Sequence, residues 1–112
     1  MVEYPGLEDM KFTATALVAT DRPERYSKQL ASHMGHKIDV TEIDGGYRLT
    51  FNRDGNFGGY GELFARENGL DMRVYAPTAE GVQRLAQVLD RHLVRFGERD
   101  GLVVTFTEAH PC

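Results

Sequence analysis

The stretch KIDVTEIDGGYRLTFNRDGNFGGYGELFARENGLDMRVYA, residues 37–76, decides the fold. Three dipeptides inside it, Asp44-Gly45, Asp54-Gly55 and Asn68-Gly69, can each take the positive φ angles of a tight hairpin. Each lies between segments that alternate as strands do. Tyr47, Leu49 and Phe51 alternate with Arg48, Thr50 and Asn52, and Leu70, Met72 and Val74 alternate with Asp71, Arg73 and Tyr75. A period of two gives a sheet one apolar face and one mixed face, so the stretch predicts a four-stranded antiparallel meander from about Lys37 to Ala76. Its third strand, FGGYGELFAR, carries Gly58, Gly59 and Gly61, which predicts a bulge or a close backbone approach there.

A helical pattern stands on either side of the meander. The first opens at Pro23, whose fixed φ suits a first helical turn, with Asp21 as the expected cap and Gly35 as a left-handed stop. Tyr26, Leu30 and Met34 form its apolar stripe. The second is capped by Thr78 and runs through Val82, Leu85, Ala86, Leu89, Leu93 and Phe96 to Gly97. KFTATALVAT before the first helix and LVVTFT after the second read as further strands. The predicted order is therefore β-α-β-β-β-β-α-β: an α+β fold with an antiparallel sheet of five or six strands and two helices on one face. A TBP-like arrangement is the first expectation and a ferredoxin-like variant the second. Residues 1–112 form a single domain on this reading, with 1–10 and 108–112 as loosely held tails.

Composition narrows the function classes. Thirteen Lys and Arg against 17 Asp and Glu give a formal charge of −4, so a phosphate backbone is not an expected partner. The single cysteine, Cys112, allows neither an internal disulfide nor a thiolate metal cluster, and a reducing cytoplasm fits that. The start, MVEYPGLEDM, lacks the basic and apolar regions of a secretion signal, and no apolar run is long enough to span a bilayer. The expectation is a cytoplasmic protein with no membrane partner.

The chemistry-bearing residues cluster on the helices. On a helical wheel His33 falls at the edge of the first helix's stripe, beside Tyr26 and Leu30, and His92 falls inside the second helix's apolar arc. If the helices lie side by side, His33 and His92 meet at their seam, with His36 just beyond the first helix. Three imidazoles suffice for a transition metal with an open coordination position, so His33, His36 and His92 are the candidate metal ligands. The alternative is structural: His33 bonds free carbonyls at a helix end, and His92 donates to a backbone carbonyl. Arg84, Arg95 and Arg99, with Arg22, Arg25 and Lys28, form either an anion-capturing patch or ion pairs with Glu24, Glu80, Asp90 and Glu98. NRDGNFGGYG, residues 52–61, is not a phosphate loop, because no Gly-Lys-Ser/Thr and no helix follow it. On the outer sheet face, Tyr60, Phe64, Tyr75 and Val103 are expected to form an aromatic patch. Ser27, Ser32 and Cys112 lack the surroundings of an activated nucleophile.

RYSKQLASHMGHKIDV, residues 25–40, and RLAQVLDRHLVRFGERDGLVV, residues 84–104, resemble the small bacterial domain-of-unknown-function family numbered 2218. The resemblance runs from about Phe12 to Thr107 and rests on Tyr26, Leu30, His33, His36 and Lys37, then His92-Leu93, Arg95-Phe96 and Glu98. It implies His33, His36, His92 and Arg95 as marked positions without assigned roles. It also implies an association with siderophore-interacting flavoproteins that reduce ferric chelates, and so a link to iron handling. FGGYG departs from the acidic-apolar strand usual in that family.

Three functions follow. The first is a binding module for a small ligand, a metal, haem or a ferric chelate, with Tyr26, His33, His92 and Arg95 as ligand-binding residues. The second is a non-catalytic interaction or homodimerisation domain that uses the aromatic face. The third is an enzyme with a histidine general base.

Overall fold

The computed structural model describes residues 4–112; the first three residues of the expected N-terminal tail lie outside the described residues. The chain runs β1 (Phe12–Val18), α1 (Pro23–Met34), β2 (Asp39–Ile43), β3 (Gly46–Phe51), β4 (Gly59–Arg66), β5 (Gly69–Ala76), α2 (Ala79–Phe96) and β6 (His110–Pro111). The six strands form one antiparallel sheet in the order β2-β3-β4-β5-β1-β6. The meander and both helices are as the sequence patterns predict, and the mixed α+β class holds. No described helix is long and apolar enough to cross a membrane.

Both helices cover the same sheet face. Ala14, Ala16 and Val18 of β1, Leu49 of β3, Leu63 of β4, and Leu70, Met72 and Val74 of β5 form one core with Leu30 of α1 and Val82, Leu89 and Leu93 of α2. The stripes at i, i+3, i+4 and i+7 put these helical side chains on one side, and burying each contributes about 1.5–3 kcal/mol. The glycines of β4 let this sheet close on the helices. A Cβ on Gly59, which has φ +142, would stand 2.2 Å from the Tyr75 carbonyl oxygen and 2.8 Å from Leu85 Cδ1.

Several local expectations give way. Asp21 does not cap α1; Arg22 holds the N-cap position without a side-chain cap, and Thr20 Oγ1 accepts from the Arg22 amide. Gly35 is right-handed, at φ −62, because the chain goes on turning: the Lys37 and Ile38 amides both donate to the Met34 carbonyl. Asp54-Gly55 sits in a 3-10 turn rather than a two-residue hairpin, although both residues have positive φ.

The largest change is at residues 102–107, which form no strand. Leu102 turns under Gly97 into the core, Val103 is 74% exposed, and the segment crosses back towards β1. It reaches the edge of β1 only at Thr107, whose amide donates to the Thr15 carbonyl, and sheet pairing begins at His110–Pro111. Within residues 108–112 the Cys112 amide donates to the Lys11 carbonyl. At the other end Tyr4 stacks on Phe57, and Tyr60 Oη donates to the Pro5 carbonyl at 2.5 Å.

Candidate functional site

The seam between α1 and α2 brings His33 and His92 together, as their helical phases predict. Their ring centroids are 5.0 Å apart with planes tilted by 48°, and Phe96 meets His33 edge-on at 5.2 Å. Both imidazoles are half-buried. His92 Nδ1 lies 2.6 Å from the Val88 carbonyl oxygen, and a carbonyl only accepts, so Nδ1 is the donor there and the contact is made through its N–H. Burial, followed by His92, Lys37, His36 and Arg95, holds the His33 imidazole below its ordinary titration range. A neutral ring with a free lone pair results, and its most influential neighbours are basic.

The third imidazole does not join them. Among the described residues no group of three His, Cys, Asp or Glu side chains is placed to hold a metal ion, so the expected His33, His36 and His92 triad is not formed. The physical reason is the chain path after Met34, where the continued turning puts the His36 amide on the His33 carbonyl at 3.3 Å and leaves His36 exposed. Tyr26 is also elsewhere: it is buried lower on α1 and donates its hydroxyl to Asp100 beyond α2. That acceptor and burial push the Tyr26 phenol above its ordinary value. Tyr26 thus fastens the helix seam. Arg95 is exposed on α2 and bears on His33 only through its charge.

The pattern of a bacterial family described as "Uncharacterized protein conserved in bacteria (DUF2218)" matches residues 15–107. The chain belongs to this family. A similar solved structure is the NMR structure of PA4090 from Pseudomonas aeruginosa, at 20% sequence identity and a TM-score of 0.65. The likeness covers 88% of this chain and 96% of that one, and at such identity it shows the shared fold alone. No curated protein matches the chain.

In this member of the family the helix cations are not neutralised as expected. Among the described residues the only ion pair of that set is Arg22 with Asp21 at 4.0 Å, and both partners are exposed. Arg22 and Arg25 line a cleft at the start of α1 with Arg66 and with the acidic Asp21, Glu24 and Glu67. The aromatic face is altered too. Tyr60 and Tyr75 are cross-strand partners and Phe64 lies on the same side, but Val103 is outside the sheet.

What the sequence reading missed on that face is Glu62. Its side chain is 7% exposed, and Arg48 reaches it with Nε at 3.3 Å and Nη2 at 3.0 Å. Arg73 is its partner on β5 and is itself bonded to Asp71 at 3.0 Å. Two-residue hairpins at Asp54-Gly55 and Asn68-Gly69 would set Arg48 against Gly61 and Glu62 against Tyr75, and only the longer loop after Phe51 and the pairing of Arg66 with Gly69 give the register Arg48↔Glu62↔Arg73. It then reads as two cations flanking one carboxylate.

Proposed function

We propose that the chain is a binding module for an anionic metal chelate, a ferric carboxylate in chemical class, held at the α1–α2 seam by His33 and His92. The observation that carries this reading is the 5.0 Å pairing of two imidazoles among basic neighbours. Two imidazoles bound side by side to one metal ion, with metal–nitrogen bonds of about 2.0–2.1 Å, hold their centroids roughly 4.5–5 Å apart. The centroid spacing is therefore compatible with a shared ion. Lys37, His36 and Arg95 disfavour a bare cation, and they attract one whose charge is reversed by carboxylates. The chelate brings the remaining donor atoms, so two protein ligands suffice. Haem and the iron-handling association belong to the same reading, since both present an iron with anionic groups. Siderophore-interacting flavoproteins and a cytoplasmic location fit such a role.

Equilibrium dialysis against ferric citrate, with iron and citrate both quantified, tests this. One equivalent of iron retained by the protein and lost in His33→Ala and in His92→Ala is the expected result. Equal retention by the double variant removes the site, and equal binding of citrate alone removes the metal.

A second reading, interaction or homodimerisation through the outer sheet face, is favoured by one observation. Among the described residues no helix covers that face, where Tyr60, Phe64 and Tyr75 are half-buried and Leu17 is 55% exposed. Light scattering checks the dimer: a strict monomer at all concentrations excludes it. A histidine base acting in an enzyme remains the third reading and has the same His33–His92 pair as its candidate.

A further inference from the structure

A cleft of about 470 Å³ opens between α1 and the β2–β3 hairpin, and it shares no lining residue with the His33–His92 seam. Its volume lies within the roughly 300–1,000 Å³ of small-ligand sites. Glu24, Ser27 and Lys28 reach it from one face of α1, and Glu42, Ile43 and Tyr47 from the hairpin. Glu24 and Lys28 stand at i and i+4 in the orientation that ordinarily pairs on a helix surface, yet they form no ion pair among the described residues. Glu42 also forms none. Three charges therefore line one cleft, two negative and one positive, while Ala65 and Tyr47 add apolar lining.

We infer that this cleft binds a small zwitterion, an α-amino acid with an aliphatic side chain. Its ammonium sits between the carboxylates of Glu24 and Glu42, its carboxylate meets the Lys28 ammonium, and its side chain lies on Tyr47 and Ala65. A simple amine leaves Lys28 without a partner, and a simple acid brings a like charge up to two glutamates. A molecule that carries both charges satisfies all three groups, and the apolar lining selects among such molecules. Nothing in this site depends on the chelate reading.

The test is a titration of the ¹⁵N-labelled full chain with L-leucine, with 3-methylbutylamine, which lacks the carboxylate, and with 4-methylpentanoate, which lacks the ammonium. Saturable shifts of the Gly45, Gly46 and Ala65 amides with leucine are expected, with affinity at least tenfold lower for either analogue. Lys28→Gln and Glu42→Gln, both at exposed positions, should each lower leucine affinity about tenfold and leave the remaining spectrum unchanged. An absence of saturable shifts overturns the inference. So does binding of leucine that both variants retain, or binding of the amine as tight as that of leucine.

Discussion

Arg48 on β3 and Glu62 on β4 face each other across the sheet and join through two hydrogen bonds to one carboxylate oxygen, on the face that no described helix covers. Glu62 is almost wholly removed from water there, whereas Arg48 keeps 38% of its side-chain surface. The carboxylate is thus desolvated by its own neighbours, and its stability depends on them. Tyr75 shares this environment, for burial first and the Glu62 charge next push its phenol above the ordinary value.

Removing one partner should therefore cost more than removing both. Arg48→Ala is expected to lower unfolding free energy by about 1.5–3 kcal/mol, the range for hydrogen bonds to charged groups. An Arg48→Leu, Glu62→Leu double variant should recover more than half of that loss. Urea unfolding midpoints measure both. A double variant less stable than Arg48→Ala would show that the pair contributes net stability rather than relieving a buried charge.

Acid should weaken the fold through His33. The unfolded chain takes up this proton near 6.5, and in the folded chain burial and the basic neighbours lower that value. The unfolded state therefore binds the proton first, so the contribution of His33 is complete above pH 6.5 and is lost as pH falls through the folded value. Urea midpoints from pH 8 to pH 5 should be level and then decline, with a shallower decline in His33→Gln. An identical decline in that variant would assign the acid sensitivity to another group.

The two helix starts should respond differently to loss of the side chain ahead of them. Thr78 accepts from the Gly81 amide at 3.0 Å, so Thr78→Ala is expected to cost about 1 kcal/mol. Asp21 caps nothing and is 94% exposed, so Asp21→Ala should stay within about 0.5 kcal/mol. A thermal unfolding series on the two variants decides the matter. Equal losses would place a working cap at Asp21.

Two glycines with positive φ separate backbone strain from close approach. Gly55, at φ +78, has open space where a Cβ would stand, so Gly55→Ala should lose only the left-handed penalty of about 1–2 kcal/mol. Gly59→Ala adds a collision with β5 backbone and with Leu85, and should lose well more than that or fail to fold. Soluble yield and urea midpoints compare them, and a Gly59→Ala protein as stable as Gly55→Ala would mean that β4 can move away from β5.

Local periodicity by itself determined the meander, both helices and the faces they bury. Alternation from Tyr47 to Phe51 and helical spacing from Val82 to Leu93 are properties of neighbouring residues, and one buried face is enough to set them. The same phases placed His33 and His92 on one seam. Tertiary structure alone decided the rest, because those outcomes depend on segments far apart in the chain. LVVTFT has strand composition, but after the turn at Gly101 it meets the edge of β1 only at Thr107. His36 was lost to the site by the path of the chain after Met34. Tyr26 finds its acceptor 74 residues away at Asp100, and Glu62 is buried only when β3 and β5 close on it from either side. Burial and charge pairing belong to the packed molecule, whereas periodicity belongs to the chain.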